Sequence, residues 1–354
     1  MNRHTKKNNH GFTIIEILVV IAIIALLAGI LLASLGTVQD AAKKTQTTSL
    51  LQAFARACDE YSMVYDRFPG ILPDTVLGQT GGTYSQITPT QNTLLELMGG
   101  ARVKNSNSTP SVVTEYDNFG GIEYLSNSGV TDPSTGTTWW LKFDRTRFGE
   151  GPWISGLIHA PFFSPKSRDI RYTPFDSGNA ADFELPTLVD SWDTPVIFLR
   201  AIRDSGPIID DPLGSNPNYR NPQYELPNID PFFEDALNKT GSLLSIDAAT
   251  GQTTEDRLAW LTLLLVHPTF WEDPGDGSAF SNGVAWGAVR GRFLLISAGP
   301  DTAYMEAINK ELHVDQAINP SDLFGNLLGS GPTGGEITPK MMESFDDVVV
   351  YGGA

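Results

Sequence analysis

One ionisable side chain, Glu16, interrupts the otherwise apolar run from Phe12 to Leu35. A carboxylate at mid-bilayer costs on the order of 2.5–3.5 kcal/mol, so an acid in such a run is a functional residue by default. Cutting the chain between Gly11 and Phe12 would supply its partner, because Phe12 would then carry a new α-ammonium and Glu16 would become the fifth residue. Positions i and i+4 share a helix face, which places the carboxylate near the amino terminus of its own helix or of a neighbour's. Pairing between subunits would cancel both charges and set the stagger of one helix on the next. Catalytic chemistry is thinly represented by comparison. Only His159, His267 and His313 lie beyond that cut, and the chain has no H-E-x-x-H, G-x-S-x-G or P-loop motif. A carboxylate-pair glycosidase would need two acids brought together from distant positions. Trp139, Trp140 and Trp153 could form a sugar-binding face, although tryptophan more often packs in or beside a core. The single cysteine, Cys58, excludes an intramolecular disulfide and a Cys-based zinc site.

Glu16 has to be carried by a helix. Twenty-four residues from Phe12 to Leu35 make a helix of roughly 36 Å, against a hydrocarbon core of about 30 Å. Arg3, Lys6 and Lys7 precede the run, and the next charge after Glu16 is Asp40. The positive-inside rule therefore keeps the first residues cytoplasmic and sends the rest outward. An ordinary secretory signal fits less well, because the run exceeds a usual h-region and its one small-x-small site, Ala33-Ser34-Leu35, is poor. The whole chain of 354 residues carries 24 Lys and Arg against 41 Asp and Glu, a net charge of −17. That balance argues against nucleic acid or an anionic membrane surface as partner. Thirty-four glycines and 23 prolines make the chain loop-rich, yet 41% hydrophobic residues is not a disordered composition.

Gly11-Phe12-Thr13-Ile14-Ile15-Glu16, after a short basic leader and before an apolar run, resembles the class III prepilin signal of type IV pilins and of the pseudopilins of type II secretion. The resemblance implies cleavage after Gly11 by prepilin peptidase, N-methylation of Phe12, and assembly into a filament with Glu16 pairing to a neighbour's amino terminus. Family members often carry a proline, with an associated helix kink or melted stretch, where this chain has Ala33; the resemblance leaves the kink open here, and Gly29 and Gly36 could loosen the same region.

Helical spacing continues past the apolar run. Val38, Ala41, Ala42, Leu51, Phe54, Cys58, Tyr61 and Tyr65 recur at intervals of three and four, except across the polar stretch 43–49, and Phe68-Pro69-Gly70 ends the helix. The segments are thus a leader (1–11), a transmembrane and assembly helix (12–35), an amphipathic stalk (36–67) and a large head (68–354). Within the head, 70–186, 203–282 and 303–340 read as insertions. A short helix is expected at Thr93–Met98 before Gly99-Gly100, and a strand at Trp139–Phe143. Leu188–Leu199 resembles the pseudopilin segment in which Asp-x-Trp-Gly-x-Pro leads into the first sheet strand, with Asp193 where glycine is usual. Two helices are expected in the second insertion, one opening at Asp230-Pro231 and one at Thr253 that runs to Leu265. Phe293–Ser297 and Val348–Tyr351 read as the last strands. The predicted fold class is α+β, a pilin-like long helix laid on an antiparallel sheet.

Ser297-Ala298-Gly299-Pro300-Asp301 and the later pair Asp346-Asp347 resemble the turn and aspartates that bind calcium in the major pseudopilin of type II secretion. The resemblance implies carboxylates from Asp301, Asp346 and Asp347, with carbonyls near Ser297 and Ala303 completing the shell. Calcium takes six to eight oxygens, so the donor type is right. Here, however, Asp301 and Asp346 are 45 positions apart. The expected function is that of a non-enzymatic, single-pass inner-membrane pseudopilus subunit with its head in the periplasm. Expected partners are prepilin peptidase, further copies of the chain, minor pseudopilins, the inner-membrane assembly platform and, indirectly, a cytoplasmic assembly ATPase. The alternatives are a minor type IV pilin or adhesin-like fibre subunit whose enlarged head binds a surface or cargo, and a membrane-anchored periplasmic hydrolase.

Overall fold

The computed structural model describes residues 14–73, 76–77, 87–106, 130–132, 135–155, 157–175, 183–203, 223–224, 244, 261, 264–265, 267, 289–305 and 346–353. Two units, residues 1–45 and 46–354, are described in turn. The first contributes the opening of helix α1 (Ile14–Tyr65), which runs without a break through Gly29, Ala33 and Gly36. Every large apolar side chain from Ile14 to Leu27 is exposed, by 51% to 86%. Among the described residues no helix is long and apolar enough to cross a membrane. The expected span 12–35 includes residues 12–13 and the side chains of 30–35, which lie outside the described set.

In the second unit the α1 residues Leu51, Phe54, Cys58 and Tyr61, spaced three or four apart, are fully buried. They pack in one core with Phe198, Phe293, Leu295 and Val348. Those partners belong to β8 (Ile197–Arg200), β9 (Phe293–Ser297) and β10 (Val348–Gly352), an antiparallel sheet in the order β10-β9-β8. Leu295 sits opposite both Phe198 and Val350 in register. The apolar stripe read from the sequence therefore divides. Val38 stays 63% exposed and Ala41 and Ala42 are exposed, whereas burial sets in from Thr47, whose hydroxyl accepts from Ser191 N at 3.1 Å. Cys58 is a free, buried thiol, and burial pushes its pKa well up. Helix α1 ends where expected: Asp66 takes a left-handed φ of 54° and donates to Ser62 O before Phe68-Pro69.

The stretch 70–186 contains helix α2 (Pro89–Met98), strands β1 (Ala101–Ser106), β2 (Val130–Thr131), β3 (Thr138–Phe143), β4 (Trp153–Ile154), β5 (Leu157–Ile158) and β6 (Ile170–Phe175), and the start of β7 (Phe183–Leu188). Strand β3 lies between β1 and β2, and among the described residues β6 pairs only with β7, all antiparallel. The expected helix at Thr93 starts four residues earlier. Thr88 and Gln91 form a capping box and Pro89 takes the first position, so the polar turn before Thr93 is helix and not loop. Asp193 adopts φ 69°, the conformation that glycine takes freely, and its carboxylate pairs with Arg171. The helix expected from Asp230 lies outside the described residues. Of the one opening at Thr253, Leu261, Leu264 and Leu265 are helical and buried. The described fold is α+β, helices with antiparallel sheets.

Candidate functional site

Glu16 occupies the first turn of α1 and is exposed there, beside Ile14, Ile15 and Ile17. A carboxylate in the first turn meets the positive end of the helix dipole. Gly11 and Phe12, the expected cleavage and methylation positions, lie outside the described residues.

The far end of α1 is held by a carboxylate that sequence spacing did not single out. Glu96, 5% exposed, lies near the carboxy end of α2, where the helix dipole disfavours negative charge. Its oxygens accept from the Tyr61 hydroxyl, from both terminal nitrogens of Arg67 and from Gly70 N at 2.9 Å. Burial and then the Glu96 charge push the Tyr61 phenol pKa upward. The polar face of α2 is spent in the same way: Asn92 exchanges hydrogen bonds with the backbone of Leu72, Thr90 donates to Val196 O, and Gln91 donates to Thr187. Buried polar groups on a short helix thus fix the α1 terminus and the β8 entry.

At the sheet end, the turn after β9 lies against the residues before β10 despite their separation in sequence. Met305 N donates to both oxygens of Asp347 at 3.1 Å. Gly299, at φ 72°, approaches Asp346 so closely that a Cβ there would lie 2.8 Å from its carbonyl oxygen. Asp301 caps its own turn by accepting from Ala303 N at 2.9 Å. Ser297 is fully buried, and its hydroxyl donates to Asp190 at 2.6 Å. The other Asp190 oxygen accepts from Trp192 N and Thr194 N, which builds the turn into β8. Burial pushes the Asp347 pKa up to about 8; the Met305 N–H partly offsets this, and the Asp346 and Asp301 charges add to it. Oxygen donors suited to calcium are therefore present and act on one another. Among the described residues, however, no three of His, Cys, Asp or Glu stand together as a metal-binding group. Asp190 was legible only as part of the Asp-x-Trp segment, and its bond to Ser297 spans 107 positions.

Of the tryptophans weighed for sugar binding, Trp140 is buried at 4% exposure, while Trp153 is 39% exposed and Trp139 half-buried.

The amino-terminal segment finds a counterpart among known proteins. A family model described as the prokaryotic N-terminal methylation motif matches residues 6–32. No curated protein and no solved structure matched the chain. What is shared with known proteins is thus the signal that surrounds Gly11, Phe12 and Glu16: the chain carries a type IV pilin-like, prepilin-processing signal.

Proposed function

We propose that the chain is a subunit of a type II secretion pseudopilus, cleaved after Gly11, methylated at Phe12 and polymerised through α1. The observation that carries this reading is the run of exposed apolar side chains from Ile14 to Leu27, inside the matched motif and interrupted only by the acid Glu16. Such a surface is stable only in lipid or against other helices. Before assembly the run spans the inner membrane and the head stands in the periplasm. In the filament Glu16 meets the methylated amino terminus of a neighbour, and the partners are prepilin peptidase, other copies of the chain, minor pseudopilins and the assembly machinery. The layering of α1 on the β8–β10 sheet supports a pilin-like head.

Calcium is a second, narrower part of the proposal. Asp301, Asp346 and Asp347, with carbonyls near Ser297 and Ala303, would hold it where the β9 turn meets the start of β10. The meeting of the β9 turn with Asp346-Asp347 supports it: burial, and after it the charges of Asp346 and Asp301, disfavour the Asp347 carboxylate, and a cation there would offset both.

Replacing Glu16 by alanine in cells, with processing and filament assembly scored separately, tests the main reading. Normal cleavage with assembly lost is the expected outcome, and filaments formed as in the parent would refute the pairing.

A further inference from the structure

In the second unit, every exposed large apolar side chain among the described residues falls on two short segments. Met63 and Val64 lie on the last turns of α1, and Trp153, Leu157 and Ile158 lie on the hairpin β4–β5. The Trp153 ring already meets the Arg102 guanidinium; the other four side chains are 47% to 84% exposed. The two segments adjoin. Tyr65, next to Val64, meets the ring of His159, next to Ile158, edge-on at 5.8 Å. Single exposed hydrophobics are ordinary on a protein surface, but a cluster of them marks an interaction site.

The hairpin is fixed at its base and apolar at its tip. Trp153 faces Ile158 and Ile154 faces Leu157 in antiparallel register, and Ser155 turns the chain with a left-handed φ of 51°. His159 N donates to Pro152 O at 2.9 Å and closes the base. Gly151 N donates to Met98 O at 2.8 Å and Phe162 N to Leu97 O at 3.0 Å, so both limbs are fastened to the end of α2. Gly151 allows this fastening: its φ is 101°, and a Cβ there would collide with the His159 carbonyl. A surface held in one shape loses little entropy when a partner docks.

We propose that Met63, Val64, Leu157 and Ile158 seat the apolar α1 run, Ile14–Leu27, of a second copy of the chain. Such a seat rests on the pseudopilus reading, polymerisation through α1, and adds where on the head one copy receives the next. Apart from the patch and Val38, the exposed large apolar side chains among the described residues are those of that run, so a second copy carries the matching surface. Pairing of patch with patch would be isologous and would close at a dimer. Contact of patch with run is heterologous and repeats along a filament. The hairpin lies far beyond the matched motif at 6–32, so this contact belongs to the head and not to the shared signal.

The test uses the full chain in cells that assemble it, with processing, filament yield and thiol cross-linking scored separately. Leu157→Ser combined with Ile158→Ser should lower filament yield roughly tenfold, because each junction loses two apolar contacts. Both side chains are exposed, so cleavage after Gly11 and the melting temperature in micelles should stay as in the parent. For cross-linking, Leu157→Cys in one copy meets Ile17→Cys, Ile21→Cys or Ile24→Cys in another, with the native Cys58 buried. A short bis-maleimide should join position 157 to at least one of the three in filaments. A membrane-impermeant maleimide should label the Leu157→Cys thiol of the unassembled chain in vesicles but not in filaments. Parental filament yield in the double serine variant, or filaments in which 157 joins only 157 or no position of the run, would overturn the seat and leave assembly through α1 standing. A thiol at 157 already protected in vesicles would assign the patch to lipid and overturn the seat as well. A parent chain that forms no filaments would overturn the pseudopilus reading and the seat together.

Discussion

Residues Ile14–Leu27 and Leu51–Tyr61 belong to one helix, yet the first, apolar on every face but for Glu16, is exposed throughout, whereas the second, apolar at intervals of three and four, buries that stripe. A stripe can be covered by one sheet of the same chain, whereas a helix that is apolar all round needs an apolar surrounding on every side. Around Phe54 the answer is the chain itself: its ring meets Phe163 at 5.2 Å and Phe198 at 5.6 Å, both edge-on. Around Ile14–Leu27 the apolar surface is left for lipid or other subunits, which is what the proposed assembly requires.

Breaking the buried side of this comparison should have the largest effect. Phe54→Ala is expected to cost about 3–5 kcal/mol in denaturant unfolding of the chain in micelles, because it opens a cavity against two rings. A loss below 1 kcal/mol would mean that the helix is not seated on the sheet as described. Next comes Glu96→Ala, at about 2–4 kcal/mol, since it leaves the Tyr61 hydroxyl and Gly70 N–H without their acceptor and Arg67 without its counter-charge.

A pH-dependent effect, smaller per pH unit than either of these losses, should appear at Asp347. The carboxyl ordinarily titrates near 3.8 and here near 8, so between those values the folded chain holds a proton that the unfolded chain has lost. In chelator, stability should fall as pH rises through that window, by at most about 1.4 kcal/mol per pH unit, and should level off above it. Asp347→Asn should flatten the slope. Millimolar calcium should flatten it in the parent but not act on the variant, and identical melts with and without calcium would remove the metal from the proposal. The smallest effect is expected on the exposed side: Val38→Ser should change stability by less than about 0.5 kcal/mol. A larger loss would show that this part of α1 has a packing partner within the chain.

Legibility in the sequence followed the range of the interactions. The end of α1, the strands β9 and β10 and the turn into β8 could be read because apolar runs and their glycine, proline or aspartate boundaries are local signals. The first turn of α2 was missed although Thr88-Pro89-Thr90-Gln91 spells a capping box. Thr90, Gln91 and Asn92 look like loop residues, and they are buried only because distant backbone and hydroxyl groups receive them. The β6–β7 pair is hidden by Pro174 and Pro186, which a strand tolerates where it has a single neighbour, as each of these has among the described residues. For the candidate sites the division is the same. Glu16 stands out against its immediate neighbours, whereas the Arg67–Glu96 pair is a product of folding.

The sole thiol of the chain is sealed where α1 meets the head core, at 0% exposure and with its pKa raised by burial. A reagent that needs a solvated thiolate has no target on the native molecule. Cys58 is therefore a built-in clock for undocking: its alkylation rate reports how often the helix lifts from the sheet. Cysteines placed along Ile14–Leu27 could then map subunit contacts by cross-linking with the native thiol silent.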